Sequence, residues 1–155
     1  MSNIVSSIQN QDLRIPKINL EAVKQFSMTR RQEEGEKNRD TSPFNRYVDI
    51  WWAAMCIGIQ ESKRTSLKPD AWHVFVRAGE VLPSNPWRMF QLQLLGIGVT
   101  GNTEILSRPA ELINLANEYA ATGLPILLDQ MIGQNIPIWK VTSLFENRIK
   151  NEPKE

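Results

Sequence analysis

A chain of 155 residues, 41% of them hydrophobic and 23% charged, fits a single globular domain with a core of its own. One cysteine, Cys56, excludes an intramolecular disulfide framework, and together with one histidine it falls short of the four ligands of an ordinary zinc site. A formal net charge of +1 gives no overall attraction for nucleic acid, so any such site would have to be local.

The N-terminal segment is the least regular part of the sequence. It opens with MSNIVSSIQNQDLR, which lacks the basic start and long apolar stretch of a secretory signal. A short amphipathic helix is predicted from Asn19, and residues 30–40 then carry mostly charged side chains and no apolar one. We therefore expect residues 1–40 to form a flexible arm, residues 41–150 a helical domain and residues 151–155 a loose tail.

The most apolar stretch of the chain is residues 50–59, within SPFNRYVDIWWAAMCIGIQ. Ser42 and Pro43 have the capping and first-turn chemistry of a helix start. Apolar side chains follow at spacings of three and four, and the opposite side of the stretch is apolar as well. Ten residues are too few to cross a membrane, which takes about 20. The pattern predicts a central helix buried on all sides, with Trp51 in its middle.

Residues 71–82, AWHVFVRAGEVL, fit two kinds of secondary structure. Trp72, Val74 and Val76 alternate with other side chains, as in a strand. Trp72, Phe75 and Val76 also have helical spacing. The β-branched residues favour a short β-hairpin, and a helix remains the alternative.

Four segments in the second half of the chain carry helix signals. The first begins at Pro86 and is ended by Gly101, and the second runs from Pro109 to Gly123. The third, LPILLDQMIGQ, is short and apolar, and the last is IPIWKVTSLFENRIK. The predicted fold is therefore mainly α: a compact bundle of about five helices around the buried central helix, with one small β-hairpin and a flexible N-terminal arm.

Two features have the outline of a cofactor or metal site. Gly96, Gly98 and Gly101 in GIGVTG match the spacing of a dinucleotide-binding loop, which must follow a strand and open a helix. Here a predicted helix precedes the glycines, so we interpret them as a helix end and a tight turn. The acidic side chains of residues 103–134 include no Glu-x-x-His pair. We predict no cofactor and no metal.

The one histidine is the only candidate for acid–base catalysis. His73 has Asp70 and Glu80 nearby in sequence to orient it, and Ser84 or Cys56 as a nucleophile. Nothing in the spacing brings these groups together, because they do not share a recognisable motif. We predict no catalytic residues, although an enzyme with a site near His73 remains a third hypothesis for the function.

The best candidate for an interaction surface is the segment QESKRTSLKPDAWHVF. It places Lys63, Arg64 and Lys68 close in sequence to Trp72 and His73. Basic groups interleaved with aromatic rings suit either phosphate contact with base stacking or a protein interface. A polar loop whose aromatic side chains turn inward would have the same pattern.

Taken together, these features favour a non-enzymatic, cytoplasmic interaction or assembly subunit that acts through protein–protein contacts. It would bind a protein partner or further copies of itself, and no membrane. The lack of a catalytic motif, the five tryptophans and the contrast between a basic front half and an acidic segment at 103–134 support this reading. The alternative is a nucleic-acid-binding accessory protein that uses the basic arm and residues 63–77.

Overall fold

A computed structural model describes residues 7–28 and 40–151. Its elements, in chain order, are β1 (Asp12–Pro16), α1 (Leu20–Phe26), α2 (Tyr47–Gln60), β2 (Trp72–Arg77), α3 (Ala78–Val81), α4 (Pro86–Thr100), α5 (Pro109–Met131) and α6 (Pro137–Lys150). The prediction of a mainly α, compact fold with one small sheet is confirmed. Across the ranges that are described, no helix is both long enough and apolar enough to cross a membrane.

Helix α2 is the predicted central helix. Trp51 in its middle has 0% of its surface exposed, and Ile50, Met55 and Ile57 are buried around it. The helix begins at Tyr47, four residues later than the predicted start.

The predicted cap residue of this helix has a different role. Ser42 is buried, and its hydroxyl donates to the carbonyl of Gln25 at 2.9 Å, which ties the chain before α2 to the end of α1. The first turn of α2 is closed instead by Asp49, whose Oδ2 accepts the backbone N–H of Arg46 at 3.0 Å. The serine therefore serves a tertiary contact, which sequence spacing does not reveal.

Helices α2 and α5 cross at two glycines. A Cβ on Gly58 would overlap the backbone carbonyl of Tyr119, and a Cβ on Gly123 would overlap that of Ala54. The prediction that Gly123 ends a helix is wrong, because α5 continues through it and through Pro125 to Met131. At Gly123 the missing side chain permits a close helix crossing, so this glycine is not a helix stop.

The two strands pair antiparallel, although they lie far apart in the sequence. Leu13 is opposite Val76 and Ile15 is opposite His73, with an irregularity in register between Leu13 and Arg14. The prediction of a strand within residues 71–82 is confirmed, but the prediction of a hairpin there is wrong. The partner strand is β1, and the chain after Arg77 turns into α3.

Asn117 of α5 connects the sheet to the helix pair. Its Oδ1 accepts the backbone N–H of Arg14 at 2.8 Å and the indole N–H of Trp51 at 3.2 Å. Its Nδ2 donates to the carbonyl of Asp12 at 3.0 Å. The amide thus satisfies two backbone groups on the outer edge of β1, where a third strand would otherwise pair.

The described part of the N-terminal segment, residues 7–28, lies on the helical domain. Its side chains Ile8, Leu13, Ile15, Val23 and Phe26 are buried in the common core. The charged run at residues 30–40 lies outside the described residues except for Asp40, as does most of the predicted tail. The division into an arm, a domain and a tail stays a prediction.

Candidate interaction surfaces

The basic residues singled out in the sequence lie in the loop between α2 and β2. Lys63, Arg64 and Lys68 are exposed in this loop, which we call the basic loop (residues 62–68). Trp72 and His73 follow on β2 and are half-buried, opposite Pro16 and Ile15 of β1. The structure therefore places the side chains of the three basic residues on the surface and leaves those of Trp72 and His73 partly buried.

The basic loop is fastened to α5. The backbone N–H of Thr65 donates to the carbonyl of Glu118 at 3.1 Å, and its hydroxyl lies 2.8 Å from that of Thr122. The guanidinium of Arg64 lies 3.7 Å from the carboxylate of Glu118. One of the three positive charges is therefore partly neutralised. Lys63 has no ion pair within the described ranges.

The groups considered for catalysis are not brought together. In the described part of the chain, His73 makes no hydrogen bond to Asp70, Glu80 or Ser84, and the hydroxyl of Ser84 donates to the carbonyl of Val81 at 2.8 Å. Within that part there is also no group of three or more His, Cys, Asp or Glu side chains that could hold a metal ion.

Cys56 lies on the exposed side of α2, beside a groove of about 380 Å³ between α2 and α6. Phe145 lines this groove, and Arg148 is held at its rim by Gln60 at 2.8 Å and Glu61 at 2.9 Å. Partial burial raises the pKa of the Cys56 thiol. The thiol is therefore protonated at neutral pH and is a poor nucleophile.

A second surface is formed by the apolar outer side of α4. Trp87 is 72% exposed, Phe90 53% and Leu94 52%, and Gly98 follows at the same helical spacing. We call these four residues the α4 stripe. At 100° per residue, positions 87, 94 and 98 lie within about 40° of one another. The opposite side of the helix is the one that is buried, through side chains such as Leu92.

The α4 stripe carries no charge. The only charged residue of α4 is Arg88, which points away from the stripe toward α2. Its guanidinium is bound to Asp49 at 2.6 Å and lies 5.5 Å from the ring centre of Trp52. This contact fixes α4 on α2, so the stripe is presented on a helix whose position is set by the rest of the fold.

Comparison with known protein families shows a match over most of the chain. A family model described as DNA sulphur modification system-associated protein 4 matches residues 14–155. The chain belongs to this family. No curated protein and no solved structure shows a significant match. The family description associates its members with a DNA sulphur modification system and names no reaction.

Sequence reasoning missed the α4 stripe. Both sides of α4 carry apolar residues, so its pattern resembles that of the mostly buried helix α2. No local signal separates the two helices, because α2 also carries an aromatic residue, Tyr47, in its first turn.

Proposed function

We propose that the protein is a non-enzymatic assembly subunit of a DNA sulphur modification system and that it acts through protein–protein contacts made by the α4 stripe. The observation that supports this proposal is the exposure of Trp87, Phe90 and Leu94 in one uncharged row. Contiguous exposed apolar patches of this kind are uncommon on monomeric proteins and mark interaction sites. Family membership supports a DNA sulphur modification system as the setting of this contact.

The energetics favour this surface over the basic loop as a protein-binding site. Burying a fully exposed Phe or Leu side chain contributes roughly 1.5–3 kcal/mol, and these partly exposed side chains would contribute a part of that. Tryptophan is enriched among the residues that dominate binding. Exposed ion pairs contribute about 0–1 kcal/mol. The α4 stripe is also ordered before binding, because Arg88 and Asp49 hold the helix in place, so little conformational entropy is lost on association.

Replacing both Trp87 and Leu94 by serine is expected to weaken binding to the partner protein at least about 100-fold, because two central apolar contacts are lost. The measurement is co-purification, followed by titration, with the other proteins of the modification system expressed alongside. Trp139→Ser is the matched control, since Trp139 is 67% exposed on α6. Equal binding by the double variant and the control would contradict the proposal.

Nucleic-acid binding by the basic loop is a second candidate, favoured by the exposure of Lys63 and Lys68. Reversing both to glutamate is expected to weaken DNA binding and to reduce the slope of log affinity against log salt by about two. Arg64 is left unchanged because it faces Glu118. The control is Lys140→Glu on α6. A wild-type protein without salt-dependent DNA binding would rule this candidate out.

A further inference from the structure

We infer that the α4 stripe binds the α4 stripe of a second copy of the chain, as an antiparallel helix pair about a two-fold axis. This inference rests on the proposed function, in which the stripe is the protein-binding surface, and it names the partner. An interface of this kind uses the same patch on both subunits, so the patch must be complementary to itself in shape and in charge.

The shape of the α4 stripe satisfies this condition. Its bulkiest side chain, Trp87, lies near one end and its smallest residue, Gly98, lies near the other. A Cβ on Gly98 would meet nothing within 4 Å, so the backbone there is open to a neighbour. With the two-fold axis between residues 92 and 93, Trp87 of each copy lies over Gly98 of the other, and Leu94 lies near the axis.

The charge distribution also fits a second copy. A two-fold axis repeats every charge on both sides of the interface, so like charges near the axis repel. The α4 stripe has none, and the guanidinium of Arg88 is already bound by Asp49 of its own chain. Homodimer interfaces are more apolar than the interfaces of non-obligate complexes. A row of Trp, Phe and Leu agrees with a homodimer.

The area available predicts a weak dimer. Two copies contribute four exposed aromatic rings and two leucines, and an aromatic side chain buries about 150–250 Å². With the flanking backbone, the contact would bury roughly 1,000 Å² in total, close to the lower limit for a specific interface. We therefore expect a dissociation constant on the order of tens of micromolar, and a protein that changes between monomer and dimer with concentration.

The test is analytical ultracentrifugation of the full chain from about 1 to 200 μM, where the mass is expected to rise from 17.8 kDa toward twice that value. Trp87→Ala should weaken the dimer at least tenfold, and the control Trp139→Ala should not. Gly98→Leu is the decisive variant. It adds apolar surface yet fills the space for Trp87, so we expect it to weaken the dimer at least tenfold as well. Thermal unfolding of each variant confirms that the fold is kept.

The outcomes separate this inference from the proposed function. A wild-type chain that stays monomeric throughout overturns the inference, as does a Gly98→Leu variant that dimerises as well as the wild type or better. If the chain is monomeric and the variant with Trp87 and Leu94 replaced still loses co-purification, the proposed function stands with a different partner. If that variant changes neither property, both fail.

Discussion

Gly123→Ala is expected to lower the free energy of unfolding by about 3 kcal/mol or more. The new methyl group would overlap the backbone carbonyl of Ala54 and approach the backbone nitrogen of Gly58, both on α2. Backbone atoms cannot turn away as a side chain can, so α2 and α5 would have to separate along the crossing that holds the core together. Overpacking of this kind typically costs 1–3 kcal/mol and occasionally more. Urea unfolding at a fixed protein concentration measures the loss.

Gly98→Ala provides the matched control for this prediction. It is the same chemical change inside a helix, but the added Cβ meets nothing within 4 Å. Because alanine is favoured over glycine in a helix by roughly 1 kcal/mol, the control should be as stable as the wild type or slightly more stable. Both should be measured at about 1 μM, where the expected dimer is dissociated. Similar unfolding midpoints for the two variants would mean that the helices do not touch at Gly123.

The same glycine shows where sequence reasoning reaches its limit. Glycine is the usual residue after a helix end and also the residue that permits close helix packing. At Gly101 the first reading is confirmed, since its φ of 66° is left-handed and α4 ends there. At Gly123 the second applies. The two cases differ only in whether another helix packs against the glycine. A local sequence pattern holds no information about such packing.

Strand β1 was not predicted from the sequence, for a related reason. Its five residues alternate only briefly, and Pro16 is buried together with Leu13 and Ile15, which hides the period of two. Its partner β2 follows more than fifty residues later. The sequence of either segment alone does not indicate that it pairs with the other. Helix α2 was predictable because apolar residues on both of its sides indicate burial, with Trp51 at the centre. The prediction that it is buried on all sides is wrong at Cys56, which is exposed between α2 and α6.

The candidate site was predictable only in part. The exposed charges of Lys63, Arg64 and Lys68 agree with the sequence, since charged side chains in a loop are rarely buried. The partner of Arg64, Glu118, was not predictable, because the two residues meet only through the packing of the basic loop on α5. The α4 stripe was missed because an apolar side chain in a sequence is equally consistent with a core and with an interface.

Asn117→Leu is the second variant with a large expected effect, a loss of about 3 kcal/mol in the free energy of unfolding. Leucine branches at the same carbon as asparagine and leaves no cavity, but its methyl groups are larger than the amide oxygen and nitrogen, so some overlap adds to the loss. The substitution leaves three groups without their partner: the backbone N–H of Arg14, the carbonyl of Asp12 and the indole N–H of Trp51. The indole N–H is buried, and the two backbone groups are partly buried. A fully buried group that loses its hydrogen bond costs about 1–3 kcal/mol, and the three costs are not fully additive. Urea unfolding measures the total.

A double-mutant cycle with Trp51→Phe separates the hydrogen bond from the packing. Phenylalanine has no N–H. In the double variant, replacing Asn117 by leucine therefore leaves no buried donor without a partner at position 51. The double variant should therefore lose less stability than the sum of the two single variants, by about 1 kcal/mol, within the range of couplings measured for residues in contact. Additive losses would show that the 3.2 Å contact between the indole and Asn117 contributes nothing. In that case the contribution of Asn117 to stability would come from the edge of β1 alone, where its amide takes the place of a neighbouring strand.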